Sequence, residues 1–193
     1  MHRDDLDTPA LTVDLDIMED NIRRLQAYCD AHGLALRPHI KTHKIPAIAH
    51  RQVRAGARGI ACQKLGEAEV FAAAGFDDIL IPYNIVGSAK LERLARLSTQ
   101  CHLIVAADSL TTVRGLAHAA ALAARPLDVI LELEGEIERA GIPTPAEAVE
   151  LAQAIARSPY LVYRGVMIYP STPQSAPRLQ AFLNALATAG LPA

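Results

Sequence analysis

The chain has 193 residues, 51% of them hydrophobic and 21% charged, which is enough apolar material for the core of one domain. Its 19 Lys and Arg against 21 Asp and Glu leave a formal charge of −2, which argues against nucleic acid or an anionic membrane as its partner. Aromatic residues make up 4% of the chain and Trp is absent, so a stacking platform for single-stranded bases is not expected.

In chain order, residues 10–13 form a short strand-like run after Pro9. Asp16 reads as a helix N-cap, with Glu19 three positions on in a capping-box arrangement. Met18, Ile22, Leu25 and Cys29 follow at helical spacing, and Gly33 ends that helix. Then a unit repeats: strand 34–40 and helix 46–55, strand 59–62 and helix 67–74, strand 78–81 and helix 88–97. It continues with strand 103–106 and helix 109–123, strand 127–133 and helix 145–156, strand 163–169 and helix 176–189. Pro near helix starts and Gly at helix ends set these boundaries. Short strands alternating with helices imply parallel strands joined by right-handed crossovers. Six such units fit either an open doubly wound sheet or an incomplete barrel, since a closed (β/α)8 barrel takes eight units in roughly 250 residues.

No apolar run reaches the ~18 residues that span a bilayer. Met1-His2-Arg3-Asp4-Asp5 leads into no apolar stretch of the kind a secretory signal carries. Cys29, Cys62 and Cys101 are odd in number and far apart. They read as reduced core thiols of a cytoplasmic protein, not as a disulfide or zinc framework.

The most informative stretch is Arg37-Pro38-His39-Ile40-Lys41-Thr42-His43-Lys44. Alternate side chains of a strand share a face, so Arg37, His39 and Lys41 point the same way. They lie at the strand end where parallel α/β proteins build their sites. Three basic groups on one face of a buried strand are costly unless an anion sits among them. A partly desolvated lysine among cations is activated as an amine nucleophile for Schiff-base chemistry. The plain structural alternative is an edge strand with one wet face, which Pro38 would suit. Metal binding by His39 and His43 lacks a nearby carboxylate to complete the ligands, so no metal site is assigned. Glu132 and Glu134 share a face of a buried strand with Ile130. Buried carboxylates need a cationic partner, and Arg37 is the candidate.

The whole octet resembles the Arg-Pro-His-x-Lys-Thr-His-Lys signature of the D-threonine aldolase and eukaryotic D-serine dehydratase family. These are pyridoxal-phosphate enzymes whose N-terminal barrel is of the alanine racemase type. Asp7-Thr8-Pro9-Ala10 with Val13-Asp14-Leu15 is similar to the family's opening, and Gln63-Lys64-Leu65-Gly66-Glu67-Ala68-Glu69 to its second barrel strand and the helix after it. Arg139-Ala140-Gly141-Ile142 and Gly165-Val166-Met167-Ile168-Tyr169-Pro170 resemble segments at its fifth and sixth strands, so the likeness covers nearly the whole chain.

The resemblance implies an α/β fold, an incomplete (β/α)8 TIM barrel of the alanine racemase N-terminal type. Residues 1–193 would be a single partial domain, with the later barrel strands and a C-terminal β domain outside this chain. It implies a lyase for a D-configured β-hydroxy amino acid, working by aldol cleavage or by dehydration. Lys41 would form the Schiff base with pyridoxal 5'-phosphate. His39 would lie under the cofactor ring or support it, Gln63 and Arg139 would reach its phenolic oxygen, and Tyr169 would approach the cofactor or the substrate. Thr42 and His43 would line the mouth, or else cap helices. A divalent metal, if the full-length enzyme uses one, would be held by the C-terminal domain, and the full-length protein would be a homodimer. The alternatives are an amino-acid racemase of the same superfamily, whose lysine motif differs from this octet, and a non-catalytic pyridoxal-phosphate-binding protein. One departure stands out: Gly135-Glu136-Ile137-Glu138 is bulkier and more acidic than the family's glycine-containing loop before the arginine.

Overall fold

The alternation of short apolar and longer amphipathic runs builds, in the computed structural model, five parallel strands in the order of the chain. Residues 2–137 and 139–192 are described by the structure. The strands are β1 (Ile60–Ala61), β2 (Asp78–Ile81), β3 (His102–Ala107), β4 (Leu127–Glu134) and β5 (Leu161–Tyr169). The helices are α1 (Leu15–Ala31), α2 (Pro46–Arg54), α3 (Leu65–Ala73), α4 (Ser88–Ser98), α5 (Leu110–Ala123), α6 (Pro145–Ala156) and α7 (Ala176–Thr188). Each neighbouring pair of strands is parallel, and a helix carries each crossover.

Strand parity divides the residues between two faces. On β4, Val129, Leu131 and Leu133 are fully buried in the core shared with the helices, which includes Phe71, Leu116, Ile155 and Phe182. The alternate positions, Asp128 and Glu132 among them, face the other way. There a charged ladder crosses the sheet near the strand starts. Arg37 bonds Asp78 at 2.7 Å, His102 bridges Asp78 (3.1 Å) and Asp128 (2.9 Å), and Arg164 closes on Asp128 at 2.7 Å. Gly59 makes room for this ladder, because a Cβ there would lie 2.4 Å from Arg37 Nη1 and 2.5 Å from the Asp78 carbonyl oxygen.

Helix starts follow from side-chain caps. Ser109 accepts from the Thr112 amide at the start of α5, and Thr144 from the Glu147 amide at the start of α6. At α1 the cap is Asp14 rather than Asp16: the extended Asp14 turns its carboxylate onto the amides of Asp16 and Ile17, both at 3.1 Å. Leu25 is half-exposed and Gln26 is buried in its place. The Gln26 Nε2 donates within the helix to Asp30 at 2.7 Å, while its Oε1 makes no hydrogen bond among the described residues. Residues 10–13 form no strand.

The expected strand 34–40 is the main departure, and it reduces six strands to five. Its backbone meets β1 through the Arg58 amide to the Leu36 oxygen (2.9 Å) and the Ala61 amide to the Pro38 oxygen (2.9 Å), with a single bridge, His39 to Ala61. Pro38 has no N–H to return, and the chain winds at once into the 3-10 turn Ile40–Thr42. The segment therefore runs beside the sheet without a ladder.

Candidate active site

The 3-10 turn lifts Lys41 off the line of the extended segment. His39 caps the turn, its Nδ1 accepting from the Lys41 amide at 3.3 Å. Its Nε2 lies 3.2 Å from Gln63 Oε1, and Lys41 Nζ donates to the same oxygen at 3.3 Å. Only the neutral Nε2–H tautomer can accept at one nitrogen and donate at the other. Burial first, and then the Lys41 charge, hold the His39 imidazole below its ordinary value, which favours that form.

Lys41, His39, Gln63, Arg139 and Tyr169 all line one cavity of about 210 Å³, walled by Leu80 and Met167. Lys41 is exposed as a residue, but its amine end is held at this cavity by Gln63. The Tyr169 ring has Lys41 Nζ 5.9 Å and Arg139 Cζ 5.4 Å from its centre, within range of cation–π attraction. Arg139 arrives on a loop that doubles back after β4. Gly135 permits this, since a Cβ there would lie 2.4 Å from the Tyr169 carbonyl oxygen. Glu136 of that loop is bonded by the Thr172 hydroxyl, so the acidic side chain points to the α7 side; Glu138 lies outside the described residues.

Glu132 also lines the cavity and is 3% exposed, with Oε2 making no hydrogen bond among the described residues. Burial, then the Asp108 carboxylate, raise its carboxyl above the ordinary range, with Arg139 opposing. The expected pairing of Arg37 with Glu132 or Glu134 is not formed. Arg37 reaches Asp78 instead, and Glu134 pairs with Arg178 at 2.6 Å. His43 does not reach the cavity: its Nδ1 accepts from the Ile45 amide at 3.0 Å, capping the entry to α2. Thr42 Oγ1 turns back to the His39 oxygen. Cys62 is fully buried, and burial, with Glu67 adding to it, pushes its thiol up to about 12, which makes it inert. A larger hollow of about 600 Å³ adjoins the site and shares Gln63 with it, but its other lining residues lie along Lys64, Asn84 and Lys90. Among the pairs that sequence reasoning missed, Lys44 Nζ meets Glu67 at 3.2 Å beside the site. The acidic residue three positions into α3 was a visible sign; its partner 23 residues earlier was not.

Parallel strands alternating with helices, with this site beside the strand ends, go with what the family comparison finds: the chain belongs to the alanine racemase N-terminal domain family, whose model matches residues 13–191. Within that family it is 40% identical over 169 residues to D-threonine aldolase of an Arthrobacter species, covering 88% of this chain and 45% of that protein. It is 35% identical over 176 residues to 3-hydroxy-D-aspartate aldolase of Paracoccus denitrificans, covering 90% of this chain and 46% of that protein. Among solved structures, D-threonine aldolase from Filomicrobium marinum superposes with a TM-score of 0.82 at 40% identity, over 84% of this chain and 44% of that one. D-threo-3-hydroxyaspartate dehydratase from Delftia sp. HT23 gives 0.84 at 31% identity, over 97% of this chain and 54% of that one. The chain thus spans about half the length of the curated relatives it matches. No helix among the described residues is long and apolar enough to cross a membrane.

Proposed function

We propose that the chain carries the lysine half of a pyridoxal-phosphate lyase acting on a D-configured β-hydroxy amino acid. The observation behind this is the amine of Lys41 sharing Gln63 Oε1 with a neutral His39, in the same cavity as Arg139 and Tyr169. Relatives named as D-threonine aldolase and D-threo-3-hydroxyaspartate dehydratase support the substrate class. Residues 1–193 are read as one partial barrel domain of that enzyme.

The residues present suit the cofactor. The cavity offers an amine for an aldehyde, a guanidinium for an anionic oxygen, and a buried Glu132 Oε2 with no hydrogen bond among the described residues, where a ring substituent or a proton can be held. When bound, pyridoxal phosphate supplies an aldehyde that condenses with amines and a conjugated ring that takes up charge developing at the α-carbon. Lys41 is assigned the condensing amine, and as a free amine its Nζ would be placed to take or return a proton at the cavity mouth. Gln63 fixes that nitrogen and the His39 Nε2–H through one oxygen, so their geometry is set before a ligand arrives. Arg139 is assigned an anionic oxygen of the ligand, with the Tyr169 ring beside its guanidinium steering its approach. In the same wall, Glu132 holds its proton more tightly than an ordinary carboxyl.

Purified protein mixed with pyridoxal phosphate is expected to show a long-wavelength absorbance that borohydride removes, and Lys41→Ala is expected to lose it. The protein as its gene encodes it, incubated with D-threonine, is expected to release an aldehyde for cleavage or a keto acid for dehydration. Appearance of L-allo-threonine, the epimer at the α-carbon, with neither carbonyl product would make the racemase reading the correct one. An unchanged spectrum in Lys41→Ala would overturn the assignment.

A further inference from the structure

Lys44 has a left-handed backbone, φ 55, which a non-glycine residue adopts only at a cost. Its amide bonds the Ile40 oxygen at 2.8 Å, closing the 3-10 turn that carries Lys41. The same residue sends its Nζ to Glu67 Oε1 at 3.2 Å. Glu67 is 8% exposed and lies in the first turn of α3. Its other oxygen, Oε2, accepts from the Gln63 backbone amide at 2.8 Å. No side chain caps the start of α3 at Lys64, so Glu67 takes up an amide just before the helix that would otherwise lack a partner. A buried carboxylate of this kind needs a cation, and Lys44 is the cation placed on it.

Two segments distant in sequence are joined by this pair. One bears Lys41 and His39, and the other bears Gln63, whose Oε1 both of them share. The backbone of Gln63 is fixed from behind by Glu67, and the turn bearing Lys41 is closed by Lys44.

We propose that Lys44 and Glu67 are a positioning couple that sets Gln63, and through its side-chain oxygen the amine of Lys41. This rests on the reading of Lys41 as the condensing amine for its purpose, but not for its geometry. Neither residue lines the cavity, so neither is assigned contact with a ligand.

The test needs no cofactor. The chain and its Lys44→Met, Lys44→Arg and Glu67→Gln variants are given a sub-saturating dose of formaldehyde and cyanoborohydride. Methylation at Lys41 is then read by mass spectrometry relative to Lys90 in the same molecule. Exchange of the Gln63 amide is followed by NMR. Loss of the carboxylate–amide bond is expected to speed Gln63 exchange about tenfold in Glu67→Gln, and to change the Lys41 to Lys90 ratio at least threefold in both Glu67→Gln and Lys44→Met. Lys44→Arg is expected to restore the wild-type ratio. A purely stabilising pair would lower the melting temperature and leave the ratio unchanged, which overturns the proposal. If Glu67→Gln does not fold, Lys44→Met, altered at the half-exposed end of the pair, decides alone. Failure of the lyase reading appears separately, as wild-type protein that never acquires a borohydride-sensitive absorbance while the methylation pattern holds.

Discussion

At Glu132 the burial that costs stability falls on a carboxyl that lines the cavity. Its Oε2 makes no hydrogen bond among the described residues, and its carboxyl is raised above the ordinary range by burial and by Asp108. A raised folded value contributes stability only below the unfolded value near 4.5 and loses it as pH rises. At neutral pH the group therefore weighs against the fold. Glu132→Gln keeps the shape and removes the charge, and is expected to raise urea stability at pH 7 by about 1 kcal/mol, with the gain vanishing toward pH 4. The same variant is expected to weaken pyridoxal-phosphate retention, since the cavity loses an acid. A stability loss at pH 7 would contradict this account. Parity puts His39 on one face with Arg37 and Lys41, and all three line the same cavity. The His39 tautomer was not legible, because that depends on Gln63 across the site and on the Lys41 amide behind it.

At the level of elements, the legible parts were those with local causes. Helix α6 and strand β2 fall where Thr144 with Pro145 and the short run after Gly75 put them. Strand 34–40 failed because its residues carry β-type alternation but its Pro38 cannot complete a ladder. Leu25 failed because helical spacing gives a stripe, and the rotation of the stripe is settled by neighbours. Long-range pairs failed together: alternation tells which face Arg37 and Glu132 share, not which strand position lies opposite. Arg37 meets Asp78 at the start of β2. Burial works against the Asp78 carboxylate, but the Arg37 bond and charge, followed by His102, hold it below the ordinary range. A lowered folded value gives stability that is present above the unfolded value near 3.8 and is lost as pH falls through the folded one. Asp78→Asn is expected to cost about 2–3 kcal/mol at pH 7, because it leaves the mostly buried Arg37 unpaired, and to flatten the acid limb of the stability curve. Equal acid sensitivity in the variant, measured by urea unfolding from pH 2 to 5, would remove Asp78 from the ladder's role.

For the whole molecule, order and class were readable while closure was not. Alternating strands and helices with glycine stops gave the parallel order, but periodicity does not say how far a sheet curls. The core is continuous from α3 to α7, with Phe71 and Phe182 among its largest buried side chains. Phe182→Ala is expected to lower stability by about 3–5 kcal/mol and to do so in one transition seen alike by far-ultraviolet dichroism and tyrosine fluorescence. Two separate transitions would mean that α7 is a late addition to an independent core. The site draws on both ends of this core: the octet and Gln63 at one edge, and Arg139 and Tyr169 at the other. The most direct measurement is to reduce the protein with borohydride in the presence of pyridoxal phosphate and locate the added mass by peptide mapping. The account predicts stoichiometric label on Lys41, with Lys44, Lys64 and Lys90 at background. Label spread over all four lysines, or concentrated on any one but Lys41, would contradict it.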